Sequence, residues 1–264
     1  MTSTAAAAGN KLLTFTQVRW GAAGWSFFIA ENAVLSENRT WLIEALGGDE
    51  NYHAVYGTFS TLAMASIGYS YYKLRKIATT ATLRSPTALT LVASWSLVSG
   101  GLILASQALP KLQVPVGLAA DGSRKLQVRC PFDFADSKKQ HDATIHGLDR
   151  VSRHPGLWSF GLVSAGNALL QANPALAIWW CGPAAVAWLG GMHTDSRFRR
   201  GMGGYLDPNF DAQTSNVPLV ALLTGRQGNV MTGLSLLASE TKPLNALVAV
   251  GAATLWILSR GRIR

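Results

Sequence analysis

The chain has 264 residues, 48% of them hydrophobic and only 14% charged, with nine tryptophans. Ordinary soluble domains carry about 25% charged residues, and the apolar runs here reach membrane length, which excludes a water-soluble globular protein. The net charge of +9 suits anionic lipid headgroups, and no nucleic-acid fold signature accompanies it, so no nucleic acid is expected as a partner.

In chain order, residues 1–14 form a small, nearly uncharged tail, read as the remnant of an organelle-targeting segment. Three apolar spans follow within 20–109: Trp20–Leu35, Tyr52–Tyr72 and Pro86–Leu109. Residues 110–152 are a polar loop rich in Gly, Pro, Asp and Lys, including Arg129–Ser137. Its apolar residues are too scattered for a core, so it reads as a lid or docking loop. Spans four and five, Pro155–Leu170 and Pro174–Met192, occupy 155–192. Residues 193–242 read as amphipathic pieces on the membrane surface, and Val217–Thr224 within them is too short to span. A last span, Pro243–Leu258, occupies 243–258, and residues 259–264 form a basic tail. The fold expected is all-α. It is one membrane domain of about six transmembrane helices with two long polar loops, because a spanning backbone must satisfy its own hydrogen bonds.

With six spans, one face carries Lys11, Arg19, Lys73, Arg75, Lys76, Arg84, Arg260, Arg262 and Arg264, and no acid. That face holds both termini and is expected to be stromal or cytoplasmic. The remaining Lys and Arg share the other face with every acid but Glu31. Of the two cysteines, Cys130 falls in the loop and Cys181 in a span, so a disulfide between them is not expected.

Glu31 lies inside the first span, where an ionisable group marks a site or a buried pairing unless it reaches water near a helix end. It needs a partner: Asn167, Arg153, a metal centre or its own proton. The second focus is Gly147–Trp158, with Arg153-His154-Pro155 at its centre. Pro155 suits the first turn of a helix, which sets Arg153 and His154 at the membrane boundary. They read either as a basic interfacial anchor or as a cationic pair facing an inner cavity.

Three blocks resemble the NnrU family, and above all its plastid branch, the 15-cis-ζ-carotene isomerases. The first block runs from Phe27 to Arg39, with Leu46–Tyr52 and Tyr56–Leu62 after it. The second is Arg153-His154-Pro155. The third comprises Asp195–Arg199, Gly204-Tyr205, Phe210, Pro218 and Gly225-Arg226-Gln227. The resemblance implies a helical plastid membrane protein of the thylakoid or envelope. It also implies haem b held between histidines on two helices, and a polyene substrate within the bilayer. Where the resemblance places those histidines, this chain has Glu31 or Asn32 in the first span and Asn167 in the fourth, with Ser164 nearby. Glu and Asn are poor axial ligands for haem iron. As oxygen donors they suit the magnesium of a chlorophyll better, and the aromatic residues of the spans would pack a chlorophyll or a carotenoid. A rearranged His154/His193 pair is the other haem option, and a plain hydrogen bond between Glu31 and Asn167 the structural one.

Three functions follow, in this order. The first is a non-catalytic relative acting as a pigment- or lipid-contacting subunit of a larger photosynthetic membrane complex. The second is a haem-dependent 15-cis-ζ-carotene isomerase. The third is an isoprenylcysteine-type membrane methyltransferase, which shares the Arg-His-Pro start but usually has two glutamates where this chain has Thr194-Asp195. Glu31, Asn167, Arg153 and His154 are the candidate residues of an inner pocket or pigment site.

Overall fold

The computed structural model describes residues 15–77, 86–108, 116–118, 126–128 and 144–262. A helix lies at each of the six apolar stretches: α1 (Phe15–Glu37), α3 (Asp49–Ile77), α4 (Ala88–Ala108), α5 (Pro155–Leu169), the pair α6 (Pro174–Trp180) and α7 (Gly182–Arg199), and α11 (Pro243–Arg262). Among the described residues, three are long and apolar enough to cross a membrane: α4, the continuous α6–α7 and α11. The helix α5 has 15 residues and rises about 22 Å at 1.5 Å per residue, short of a hydrocarbon core. Both α1 and α3 are long but carry charges at their ends.

The short elements are α2 (Arg39–Ala45), α8 (Pro208–Gln213), α9 (Val220–Leu223) and α10 (Val230–Glu240). Proline stands in the first turn of α5, α6, α7 and α8, where its missing N–H costs nothing. Asn173, Asp207 and Asn229 each accept two backbone N–H bonds at the starts of α6, α8 and α10, which satisfies donors that the helix itself cannot.

The described residues are all-helical, as expected, apart from one short strand pairing, and one helix outruns its expected span. Within the loop, β1 (Val116–Leu118) pairs antiparallel with β2 (Leu126–Val128), and the fifth span extends past Met192 to Arg199. Cys181 joins α6 to α7 and is free and exposed. Cys130 and His141, like most of the loop, lie outside the described residues.

The helices pack in a row, α3–α1–α6/α7–α5–α4–α11. Close approach at Gly24 sets the α1–α3 contact, because a Cβ there would lie 2.7 Å from the Ile67 Cα. Small residues at such crossings let backbones meet where lipid offers no hydrophobic drive. Polar groups tie α11 to α4: Trp95 donates to Thr254 (3.0 Å) and Asn245 to the Ser106 carbonyl (3.1 Å).

The ends of the bundle differ. At one end Arg19 lies over Trp20, Lys73 over Tyr69, Lys76 over Tyr72 and Arg260 over Trp256, at 4.3–5.3 Å, which is an interfacial belt of cations and aromatics. At the other end, His193 and Arg200 meet Ser36 and Glu37 at the C-terminal end of α1, and Gly147 and Arg153 are tied to Glu240 and Asp211.

Candidate functional site

The Arg153-His154 pair is positioned by the helix start at Pro155 and the end of α7. The Arg153 side chain is 8% exposed and Asp195 4%. Arg153 donates to Asp195 Oδ2 (2.6 Å) through Nη2, and to Asp211 Oδ1 (2.7 Å) and the Thr214 carbonyl (3.2 Å) through Nη1. His154 Nε2 lies 2.8 Å from Asp195 Oδ1. An ionised carboxylate only accepts, so that nitrogen carries the proton. Arg199 grips Asp211 from outside through Oδ2 (2.6 Å) and Oδ1 (2.8 Å).

The segment after α8 closes over this cluster. Ser152 Oγ donates to the Asn216 carbonyl, and the Arg153 N–H donates to the Ser215 carbonyl at 3.0 Å. Asn216 Oδ1 accepts from the Trp158 indole (3.0 Å), while its amide donates to the Trp188 carbonyl (2.8 Å). Leu219 is held at φ 64°, a conformation that costs a β- or γ-branched side chain energy. Its N–H is secured by the Val151 carbonyl at 2.8 Å. The hydrogen bonds from Arg199, followed by the charge of Arg153, hold Asp211 below its usual 3.8. A second tie fixes α10: Glu240 takes both the Arg150 guanidinium (2.8 and 2.9 Å) and the Gly147 N–H (2.6 Å). The Arg150 bond leads in holding its carboxyl below the usual range. Chemically, this end of the bundle is a set of neutralised ion pairs that welds two polar segments onto α5 and α7.

The other two candidates lie elsewhere. Glu31 is 6% exposed and faces α3, so it does not reach water. Its Oε2 accepts from Asn32 (2.7 Å) and its Oε1 from Ser60 (3.1 Å), while Asn32 Oδ1 accepts from the Tyr56 hydroxyl at 2.7 Å. Asn167 is fully buried and faces away from α1. Its Oδ1 accepts from the Trp256 indole of α11 (3.1 Å), and its amide donates to the Val163 carbonyl (2.8 Å). The expected Glu31–Asn167 bond is therefore corrected. The two residues lie on non-adjacent helices of the row, with α6/α7 between them. Arg153 is not the Glu31 partner either, being held by Asp195 and Asp211. The four candidates fall into three places, of which only Arg153 and His154 share one.

Among the described residues, each histidine already has another partner, which does not fit a haem held between two of them. His154 is bonded to Asp195, and His193 Nε2 to Ser36 Oγ at 2.8 Å. His53 and His146 pair with surface acids. Among the described residues no group of three His, Cys, Asp or Glu could hold a metal ion. The oxygens of Glu31 and Asn167, candidates for the magnesium of a chlorophyll, already accept protein hydrogen bonds.

Sequence reasoning did not find Asp211, Asn216, Trp256 or the Ser36–His193 contact. No local pattern links residues 42 or 58 positions apart, as Arg153 is from Asp195 and Asp211. A signal for the Glu31 pairing did exist. Gly24, Phe28 and Glu31 recur at helical spacing, so they share one face, and a close-approach glycine on that face implies a neighbouring helix there.

One external groove is apolar. It measures about 440 Å³ and is lined by Trp158, Ala184, Ala185, Trp188 and Val217 between α5 and α7. A family model, described as NnrU protein, matches residues 22–259. No curated protein and no solved structure matches the chain.

Proposed function

The chain belongs to the NnrU protein family, and from that premise we propose that it is a diverged, non-catalytic member. In this reading it contacts pigment or lipid as a subunit of a photosynthetic membrane complex in the plastid. One observation carries the reading: where the resemblance puts haem histidines, the chain has Glu31 or Asn32 in the first span and Asn167 in the fourth, and all three are hydrogen-bonded parts of helix contacts. The external groove at Trp158 and Trp188 offers an apolar, aromatic wall instead. A chlorophyll or carotenoid would lie against it by stacking and dispersion rather than by ligation.

The absorption spectrum of the purified protein tests this. Carotenoid or chlorophyll bands that weaken in Trp188→Ala support the groove, and a protein without chromophore leaves lipid as the contact. A stoichiometric low-spin Soret band lost in His154→Ala or His193→Ala overturns the proposal in favour of a haem-dependent ζ-carotene isomerase.

The proposed topology has six spans in one domain, with both termini and the cation–aromatic belt on the stromal or cytoplasmic side. It rests on the charge split and the antiparallel order of the helices. In sealed right-side-out vesicles from a bacterial host, protease should cut within 110–152 and spare tags at both termini. Tags cut at one end only would mean an odd number of spans.

A further inference from the structure

The two ends of the bundle treat their cations differently. Where α7 finishes, arginines are matched with acids: Arg150 with Glu240, Arg153 with Asp195 and Asp211, Arg199 with Asp211, and Arg200 with Glu37. The opposite end has no acid to offer, because residues 1–30, 51–120, 155–194 and 241–264 contain no Asp or Glu.

At that end two cations from neighbouring helices converge on one ring. The Arg19 guanidinium of α1 lies 5.2 Å from the centre of the Trp20 ring, and the Lys73 ammonium of α3 lies 6.0 Å from it. Lys73 is also 5.3 Å from the Tyr69 ring, which meets Trp20 edge-on with ring centres 5.5 Å apart. A ring face attracts a cation but leaves its charge unneutralised. Neither Arg19 nor Lys73 has an oxygen partner for its N–H groups among the described residues. The helix dipole accounts for Arg75 and Lys76 in the last turn of α3. It does not account for Arg19, which stands near the N-terminal end of α1 with no acid in the first turn, where the dipole disfavours a cation.

The surroundings fit a membrane boundary. Tyr69 is 50% and Tyr72 51% exposed, as aromatics at headgroup level are. Below Tyr69, Ala65 and Leu62 are exposed on the same face of α3, so an apolar path leads from the cations along the helix.

We propose that Arg19 and Lys73 bind the phosphate of an anionic phospholipid, with Trp20 and Tyr69 as its floor and an acyl chain running past Ala65 and Leu62. A guanidinium and an ammonium match two phosphate oxygens through charge-assisted hydrogen bonds. The phosphate supplies the negative charge that the chain itself withholds from this end. The site is independent of whether the groove at Trp158 and Trp188 holds a pigment.

The test is thermal unfolding of the detergent-purified full chain, followed by tryptophan fluorescence. Short-chain phosphatidylglycerol, short-chain phosphatidylcholine and inorganic phosphate are titrated separately. Phosphatidylglycerol should raise the melting temperature to saturation, and added salt should weaken the effect. Arg19→Gln with Lys73→Gln, at an exposed and a partly exposed position, should weaken phosphatidylglycerol binding roughly tenfold and leave lipid-free melting nearly unchanged. Arg260→Gln removes a cation from Trp256 on α11, at the far edge of the row, and should leave binding as it is. An equal loss in Arg260→Gln would mean diffuse attraction to basic residues and would overturn the site. No shift with phosphatidylglycerol, an equal shift with phosphatidylcholine, or unchanged binding in the double variant would overturn it too. An inorganic phosphate shift equal to that of phosphatidylglycerol would overturn the lipid assignment.

Discussion

Asp195→Ala is expected to destabilise the protein by about 3–5 kcal/mol, the usual result of removing one member of a buried ion pair. The Asp195 carboxylate answers Arg153 through one oxygen and His154 through the other. Its loss would leave a guanidinium at 8% exposure with only Asp211 and Thr214, and a half-buried imidazole N–H without its protein acceptor. Because Arg153 also ties down residues 211–215, the segment over α5 and α7 should loosen with it. Asp195→Asn keeps the shape and one acceptor, and should fall between the variant and the wild type. Unfolding in detergent measures the stability, and proteolysis within 200–220 measures the loosening. An Asp195→Ala protein that melts with the wild type would mean that the cluster holds nothing.

Acid should act on the same segment. Asp211 titrates below its usual 3.8 in the folded protein, because Arg199 and then Arg153 favour its charged form. A carboxyl depressed on folding contributes stability that is fully present above pH 3.8 and is lost as pH falls through the folded value. Proteolysis of 200–220 should therefore be unchanged from pH 7 down to about 4.5 and should rise only below the ordinary carboxylate range.

Part of this architecture was legible in the chain because its causes are local. Apolar length located the six helices, and Pro155 located a helix start with Arg153-His154 at its mouth. The partners of those residues were not legible, because a carboxylate such as Asp211 is brought in by the path of α8, which depends on Asp207 capping it. The span count was only partly supported for a related reason. Both α1 and α3 bury polar residues against each other, so their composition is less apolar than that of a lipid-facing helix. Glu31 shows the cost of reading type without direction. Its chemistry pointed to an oxygen site, but its rotation about α1 commits it to α3.

That commitment gives the second large effect. Glu31→Leu should destabilise the α1–α3 pair by about 1–3 kcal/mol, since Ser60 Oγ and one Asn32 amide hydrogen lose their buried acceptor. Each interhelical hydrogen bond in a membrane averages only about 0.6 kcal/mol, so most of the loss would be the unsatisfied donors, not the bonds. Two comparisons separate these contributions. Glu31→Gln keeps a carbonyl oxygen for Ser60 or Asn32 and should be tolerated. The double variant Glu31→Leu with Ser60→Ala removes one stranded donor and should recover part of the loss, which a double-mutant cycle reads directly. If Gln were as damaging as Leu, the charge itself would matter, and Glu31 would be carrying a proton or a cation. If Leu abolished pigment binding while melting normally, the interior of the α1–α3 contact, and not the groove at Trp158 and Trp188, would be where the chromophore sits.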